Sequence, residues 1–201
     1  MIIFENKIRL INAKTSLQKI EFKNKHSFPA VTDKQYVDIV FTGANKLNPT
    51  AQFDKEAASY NYFSSDKKVT NVKAASEIFF HEIYKGVTLR LYSNKGGSLE
   101  FDWLVSRAED YSQIRMQFLG QNYLKVDNKG NLEIGLRFRS LKLKIPETYQ
   151  LDAKGKRLPL QGKFVFSSVN ETKYYIKGIT NSKWPLVIDP VLQWGCLYGW
   201  G

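Results

Sequence analysis

The chain has little sulfur or imidazole chemistry to draw on: one cysteine (Cys196), two methionines and two histidines in 201 residues. A single cysteine excludes an intrachain disulfide and a cysteine metal cluster. His26 and His81 lie 55 positions apart, in neither a metal nor a triad spacing. No apolar run approaches the ~18 residues that a membrane-spanning helix needs. The start, Met1-Ile-Ile-Phe-Glu-Asn-Lys7, lacks the basic opening and apolar stretch of a signal peptide. No phosphate-cradling glycine loop, serine elbow or cysteine-nucleophile context is present. These absences lead us to expect no cofactor, no metal and no enzymatic activity.

Acidic residues are also scarce. Thirty basic residues face 19 acidic ones, for a formal charge of +11, and 23 of the 30 are lysines. Such a surface attracts polyanions: nucleic acid, anionic polysaccharide or lipid headgroups. The hydrophobic fraction of 43% and aromatic fraction of 14% suffice for a core. A chain of this length buries roughly 70% of its unfolded surface. Aromatic richness with few alanines favours strands.

The stretch Tyr84–Val105 reads as a β-hairpin. Val87, Leu89 and Leu91 alternate with Thr88, Arg90 and Tyr92, and Leu99, Phe101, Trp103 and Val105 alternate with Glu100, Asp102 and Leu104. A three-residue loop at Asn94-Lys95-Gly96 puts Arg90 opposite Glu100; one at Lys95-Gly96-Gly97 puts Arg90 opposite Asp102. Asp127–Asn131 and Asp152–Lys156 read as hairpins that reuse this loop chemistry, each closed by a left-handed glycine, and by analogy the first register is favoured. The face of Leu89, Leu91, Leu99, Phe101 and Trp103 is expected to be buried.

Residues 2–42 hold three or four strand-like pieces: IIF, KIRLI, LQKIEF and YVDIVFT. Asn45–Ser59 reads as loop with a turn at Asn48-Pro49, followed by the aromatic piece Tyr60–Phe63, a polar stretch and a strand at Glu77–Phe80. Arg107–Ser112 suits a helical turn before the strand Gln113–Phe118. Phe164–Phe166, Tyr174–Ile176 and Leu186–Ile188 supply later strands. Strand signals every 8 to 12 residues with no amphipathic helix between them predict an all-β fold with little helix. We expect an antiparallel β-sandwich or partly open barrel built from successive hairpins.

Candidate ligand residues cluster on the main hairpin: Arg90, Tyr92, Glu100 and Asp102. Paired carboxylates two residues apart suit a glycosidase or cation site, but Arg90 across the hairpin makes a cross-strand ion pair the simpler reading. Asp127–Asn131 lacks the later glutamate of a calcium loop and reads as a turn. Arg137, Arg139, Lys142 and Lys144 surround Phe138 in the densest basic run, as a nucleic-acid-binding sheet would. The apolar phase shift between Phe138 and Leu141 points instead to a bulge in an ordinary strand, and no nucleic-acid partner is expected. Asn170-Glu171-Thr172 matches an N-glycosylation acceptor.

An ordered series of short motifs runs from about Gly43 to the end. It comprises Asn61-Tyr62-Phe63, Lys68–Val72, Ile83–Val87, Leu99–Trp103, Ile114 with Phe118 and Gly120, Pro146 with Tyr149-Gln150, Gly162 with Phe164, and Leu186–Leu192. In order and spacing this series resembles the N-terminal domain of bacterial SBBP-repeat proteins, cell-surface or secreted proteins with seven-bladed β-propeller-type repeats. The chain departs from that pattern at Tyr111, often proline there, and at Cys196 and Trp200. The resemblance implies a single domain over residues 1–190, with 191–201 opening a following repeat segment of the same polypeptide. It also implies a cell-surface or secreted location and no catalytic residues. The expected function is therefore a non-catalytic scaffold or adhesion module. The alternative is a binding module for an acidic glycan or other polyanion, using lysines and aromatics such as Tyr92 and Trp200. A glycoside hydrolase using Glu100 and Asp102 is the remaining alternative.

Overall fold

The computed structural model describes residues 2–3, 7–19, 27–53, 59–63, 68–73, 75–93 and 99–194. Eighteen strands and one short helical turn account for most of them. The chain opens with β1 (Ile2–Ile3), β2 (Lys7–Lys19) and β3 (Ser27–Phe41). The fragments KIRLI and LQK thus belong to one long strand that pairs with β3 along its length, with a register shift after Lys14.

β4 (Pro49–Gln52) lies inside the stretch expected to be loop. It carries no apolar alternation because it is an exposed edge strand on β7, so the usual signal of a half-buried strand is missing. Pro49 sits at its first position, where a missing N–H breaks no ladder bond. The polar stretch after Phe63 likewise contains a strand, β6 (Lys68–Lys73), paired only with β5 (Ser59–Phe63) in a separate two-stranded ribbon.

β7 (Glu77–Tyr84), β8 (Val87–Ser93) and β9 (Leu99–Val105) form the central meander, followed by a 3-10 turn at Ala108–Gln113 where a helical turn was expected. Next come β10 (Arg115–Leu119), β11 (Tyr123–Val126), β12 (Leu132–Gly135) and β13 (Ser140–Leu143). Then β14 (Glu147–Leu151), β15 (Arg157–Ser168), β16 (Glu171–Lys177), β17 (Leu186–Asp189) and β18 (Leu192–Trp194) complete the series.

The glycine-closed hairpins form as expected. Val126 pairs with Leu132 and Leu151 with Arg157, with Gly130 and Gly155 at φ 83° and 77°. The Asp127 and Asp152 carboxylates accept backbone N–H groups inside their own loops, which locks each turn.

One antiparallel sheet runs β1-β2-β3-β10-β16-β15-β14-β17-β9-β8-β7-β4, and a second runs β11-β12-β13-β18. The large sheet curls into a half-barrel. The small sheet contributes Leu132, Ile134, Leu141, Leu143 and Leu192 to the common core. On the hairpin, Leu89, Leu91, Phe101 and Trp103 are buried as expected; the Leu99 side chain lies outside the described residues.

Trp103 is fully buried. Its ring meets Phe41 edge-on at 5.6 Å, and its Nε1 donates to the Tyr174 hydroxyl at 3.1 Å. Replacing either partner leaves a buried polar group unsatisfied, at about 1–3 kcal/mol each, with added packing loss at Trp103. We expect Trp103→Phe and Tyr174→Phe each to lower unfolding free energy in urea titrations. The double variant should lose less than the sum by about 0.5 kcal/mol or more, the coupling expected of contacting residues. Strict additivity would show that the hydrogen bond carries no coupling.

Candidate functional site

The candidate residues sit on the outer face of the large sheet, opposite the core. Alternation along β8 and β9 sends Leu89, Leu91, Phe101 and Trp103 inward, so Arg90, Tyr92, Glu100 and Asp102 point outward. The observed register places Arg90 opposite Asp102, Tyr92 opposite Glu100 and Ser93 opposite Leu99. This corrects the favoured register, in which Arg90 faced Glu100. The five-residue connection 94–98 lies outside the described residues, and Leu89–Trp103 and Leu91–Phe101 become the inward pairs.

Arg90 bridges two carboxylates, but not the two expected. It donates to Glu77 at 2.5 and 3.2 Å and to Asp102 at 3.2 Å. Glu77 arrives from β7 and could not be paired from the hairpin pattern alone. The Arg90 guanidinium holds the Glu77 carboxyl below its ordinary range. Its own proton is held more tightly, first by Glu77.

The larger departure is Asp189, which the sequence reading left out. β17 pairs Ile188 with Trp103, so the next residue, Asp189, falls beside Asp102; on its other side Glu147 pairs with Asp189. One row across four strands therefore reads Glu147, Asp189, Asp102, Arg90. Like charges on neighbouring strands destabilise a sheet, and the strain is relieved at acid pH, where the raised Asp189 carboxyl keeps a proton beside Asp102.

The Asp102 side chain is 8% exposed, and burial pushes its carboxyl up against the opposing pull of Arg90. Asp189 is pushed up to about 6, by burial first and then by the Asp102 charge. Its Oδ1 is sealed from solvent and finds no hydrogen-bond partner among the described residues.

Two tyrosines border the pair. The Tyr92 hydroxyl donates to Asp102 Oδ1 at 3.3 Å, and burial together with Asp102, Asp189 and Glu100 raises its own proton affinity. Tyr149, also raised by burial, stacks under Arg157 at 4.4 Å. The arrangement can store one proton up to about pH 6. A cavity of about 30 Å³ lies on the other side of the sheet, lined by apolar residues including Phe41, Leu91, Phe101, Met116 and Leu143.

Other expected features resolve individually. No group of three or more His, Cys, Asp or Glu among the described residues is placed to hold a metal ion. His81 stacks on Phe79 at 5.6 Å, while His26, Cys196 and Trp200 lie outside the described residues. The Arg137–Lys144 run is not one bulged strand. Gly135 pairs with Ser140 and the Leu136 N–H donates to the Arg139 carbonyl, so the phase shift is the turn of a β12–β13 hairpin. Arg137 pairs with Asp33 and Lys142 with Asp127. Asn170 lies at the β15–β16 turn, and its Oδ1 accepts from Gln121. No helix among the described residues is long and apolar enough to cross a membrane.

The raised Asp189 carboxyl fixes the sign of a pH effect. The folded state binds its proton more tightly than the unfolded chain does. Stability from this group is therefore complete below about pH 4 and lost as pH rises to about 6. We expect Asp189→Asn to flatten the pH dependence of thermal unfolding between pH 4 and 6. Above pH 6.5 it should stabilise the protein by about 1 kcal/mol, a figure reduced for partial exposure. A variant less stable than the parent at pH 7 would refute the raised carboxyl.

Comparison with curated proteins and with solved structures returns no match. A family model, described as a domain of unknown function (DUF7948), matches residues 4–191. That span takes in every strand except β1 and β18, the Trp103 contacts and the full Glu147–Asp189–Asp102–Arg90 row. The chain belongs to the DUF7948 family.

Proposed function

We propose that this domain is a non-catalytic scaffold or adhesion module of a bacterial cell-surface or secreted protein. One observation carries the reading: the acidic groups best suited to chemistry are already packed together. Arg90 occupies Glu77 and Asp102, the Tyr92 hydroxyl fills a further acceptor position on Asp102, and Asp189, its carboxyl raised by burial, lies beside Asp102 on the next strand. Such a set stiffens the joint between β17, β9 and β8. A nucleophile or general base would need a free lone pair facing substrate. The ordered motif series from Asn61 to Leu192 supports the surface location.

A second reading has the Asp102–Asp189 pair in its favour. Two neighbouring carboxylates of which one keeps its proton are an acid–base couple, as hydrolases of several kinds use. In that case the pair is Asp102 with Asp189 rather than with Glu100.

One experiment separates them. The chain is incubated with a panel of neutral and acidic polysaccharides and unfolded casein between pH 4 and 7, alongside Asp102→Asn, Asp189→Asn and Glu100→Gln. A scaffold releases no reducing ends or peptides in any sample. Release by the parent that vanishes in both aspartate variants, with folding intact by circular dichroism, overturns the module reading. Antibody labelling of intact source cells tests the location, and signal appearing only after lysis counts against it.

A further inference from the structure

The outer face of β10, β16 and β15 carries a row of cations with no carboxylate in ion-pair contact among the described residues. Arg115 lies opposite Lys173 and Lys163 opposite Tyr175, and Lys177 occupies the next outward position along β16, opposite Gln161. All five of these charged and aromatic residues are exposed, Tyr175 to 49%. Several cations elsewhere carry a carboxylate partner. Lys7 and Arg9 are paired with Asp38, Arg90 with Glu77 and Asp102, Arg107 with Asp110, Arg137 with Asp33, Lys142 with Asp127 and Lys183 with Glu109.

One acid borders the row. Glu171 is almost buried and accepts from the Ser167 hydroxyl at 2.7 Å; that bond holds its carboxyl down before the charges of Arg115 and Lys173 add to the effect. It offsets one of four positive charges and leaves the surplus concentrated on a flat strip. Lys163 Nζ rests over the Tyr175 ring at 5.1 Å. A cation–π contact orders an ammonium without neutralising it, so part of the cost of fixing that side chain on an anion is already met.

We propose that this strip binds a linear polysaccharide bearing carboxylate or sulfate groups, which rests on the module reading above and names its ligand class. The cations follow one strand: Lys173 and Lys177 are roughly 13 Å apart at the usual rise per residue, with Tyr175 and Lys163 between them. A straight polymer with regularly spaced anions lies along such a line. Three lysines to one arginine, around a single ring, is a poor match to nucleic acid. Nucleic-acid binders favour arginine forks on phosphates and several aromatics for successive bases. The residue expected to serve this role, Tyr92, is instead committed to the Asp102 cluster.

The test uses the chain in low-salt buffer with five probes: polygalacturonate, heparin, dextran, oligo(dT) and phosphatidylglycerol vesicles. Binding to polygalacturonate or heparin is expected, weakening steeply with salt, with none to dextran. Lys163→Glu, Lys173→Glu and Lys177→Glu combined should weaken binding at least about tenfold, a loss of about 1.4 kcal/mol. An equally charged control, Lys129→Glu, Lys154→Glu and Lys156→Glu, should change it less than about twofold if the site, and not net charge, is responsible. Equal loss in both variants, no binding to either anionic glycan, or tighter binding to oligo(dT) or vesicles overturns the proposal. Shortening of the polysaccharide during the titration overturns the module reading instead and leaves the site standing.

Discussion

The contacts of Trp103 hold the half-barrel in its curl. Trp103 lies on β9 and Phe41 on β3, six positions apart in the sheet order. On a flat sheet six strand spacings are roughly 29 Å, yet the two rings are 5.6 Å apart. Tyr174, from β16, is reached by the indole N–H across the same interior. Tyr84, at the end of β7, donates to the Thr42 and Arg115 carbonyls near the ends of β3 and β10. Aromatic side chains on one arm of the sheet therefore bond to the other arm. The curl encloses the apolar face of β12 and β13, which alone would be too small a sheet to bury itself.

The outer face is organised by the opposite requirement, keeping charge in water while satisfying what is drawn under. Most outward tyrosines carry a cation over the ring: Arg9 on Tyr36, Arg90 on Tyr92, Lys125 on Tyr123, Arg157 on Tyr149 and Lys163 on Tyr175. Arg9, Arg90 and Lys125 have an acid partner as well, whereas Arg157 and Lys163 are held by the ring with no ion pair among the described residues. Where acids do gather, at Glu147, Asp189 and Asp102, the sheet tolerates them through Arg90 and a proton kept on Asp189 at acid pH. The two outer regions thus differ in kind. The acidic row is closed upon itself, and the Tyr175 strip is open to an ion from solution.

Much of the fold was legible because it rests on short-range rules. Period-2 alternation marked β8, β9, β16 and β17, and glycines 130 and 155 marked their turns through the left-handed conformation those loops require. β4 and β6 escaped because both faces are exposed, so neither needs apolar alternation. The β12–β13 turn was mistaken for a bulge because Arg137–Arg139 contains none of the glycine, proline or asparagine that usually flags a turn. Half of the candidate site was visible in the hairpin. Glu77 and Asp189 were not, since both reach it through strand pairings between segments remote in sequence, which no local pattern encodes. The choice of hairpin register failed because the glycine was matched one position early: Ser93–Leu99, Val126–Leu132 and Leu151–Arg157 each enclose five residues, so by count Gly97, not Gly96, corresponds to Gly130 and Gly155.

β17 has a consequence for how the chain reaches this state during synthesis. It is the strand that joins β14 to β9, and so completes the backbone ladder between the two arms of the large sheet. Asp189 is made 87 residues after Asp102. A ribosome adding about 5–20 residues per second needs several seconds to cover that distance. For that interval β9 presents an unpaired edge, joined by β14 once Leu151 has been made, and such edges invite pairing with other chains. β17 itself brings Leu186, Val187 and Ile188, a short apolar segment made to fill one slot. Completion of the large sheet is thus a late, long-range event that waits for β17.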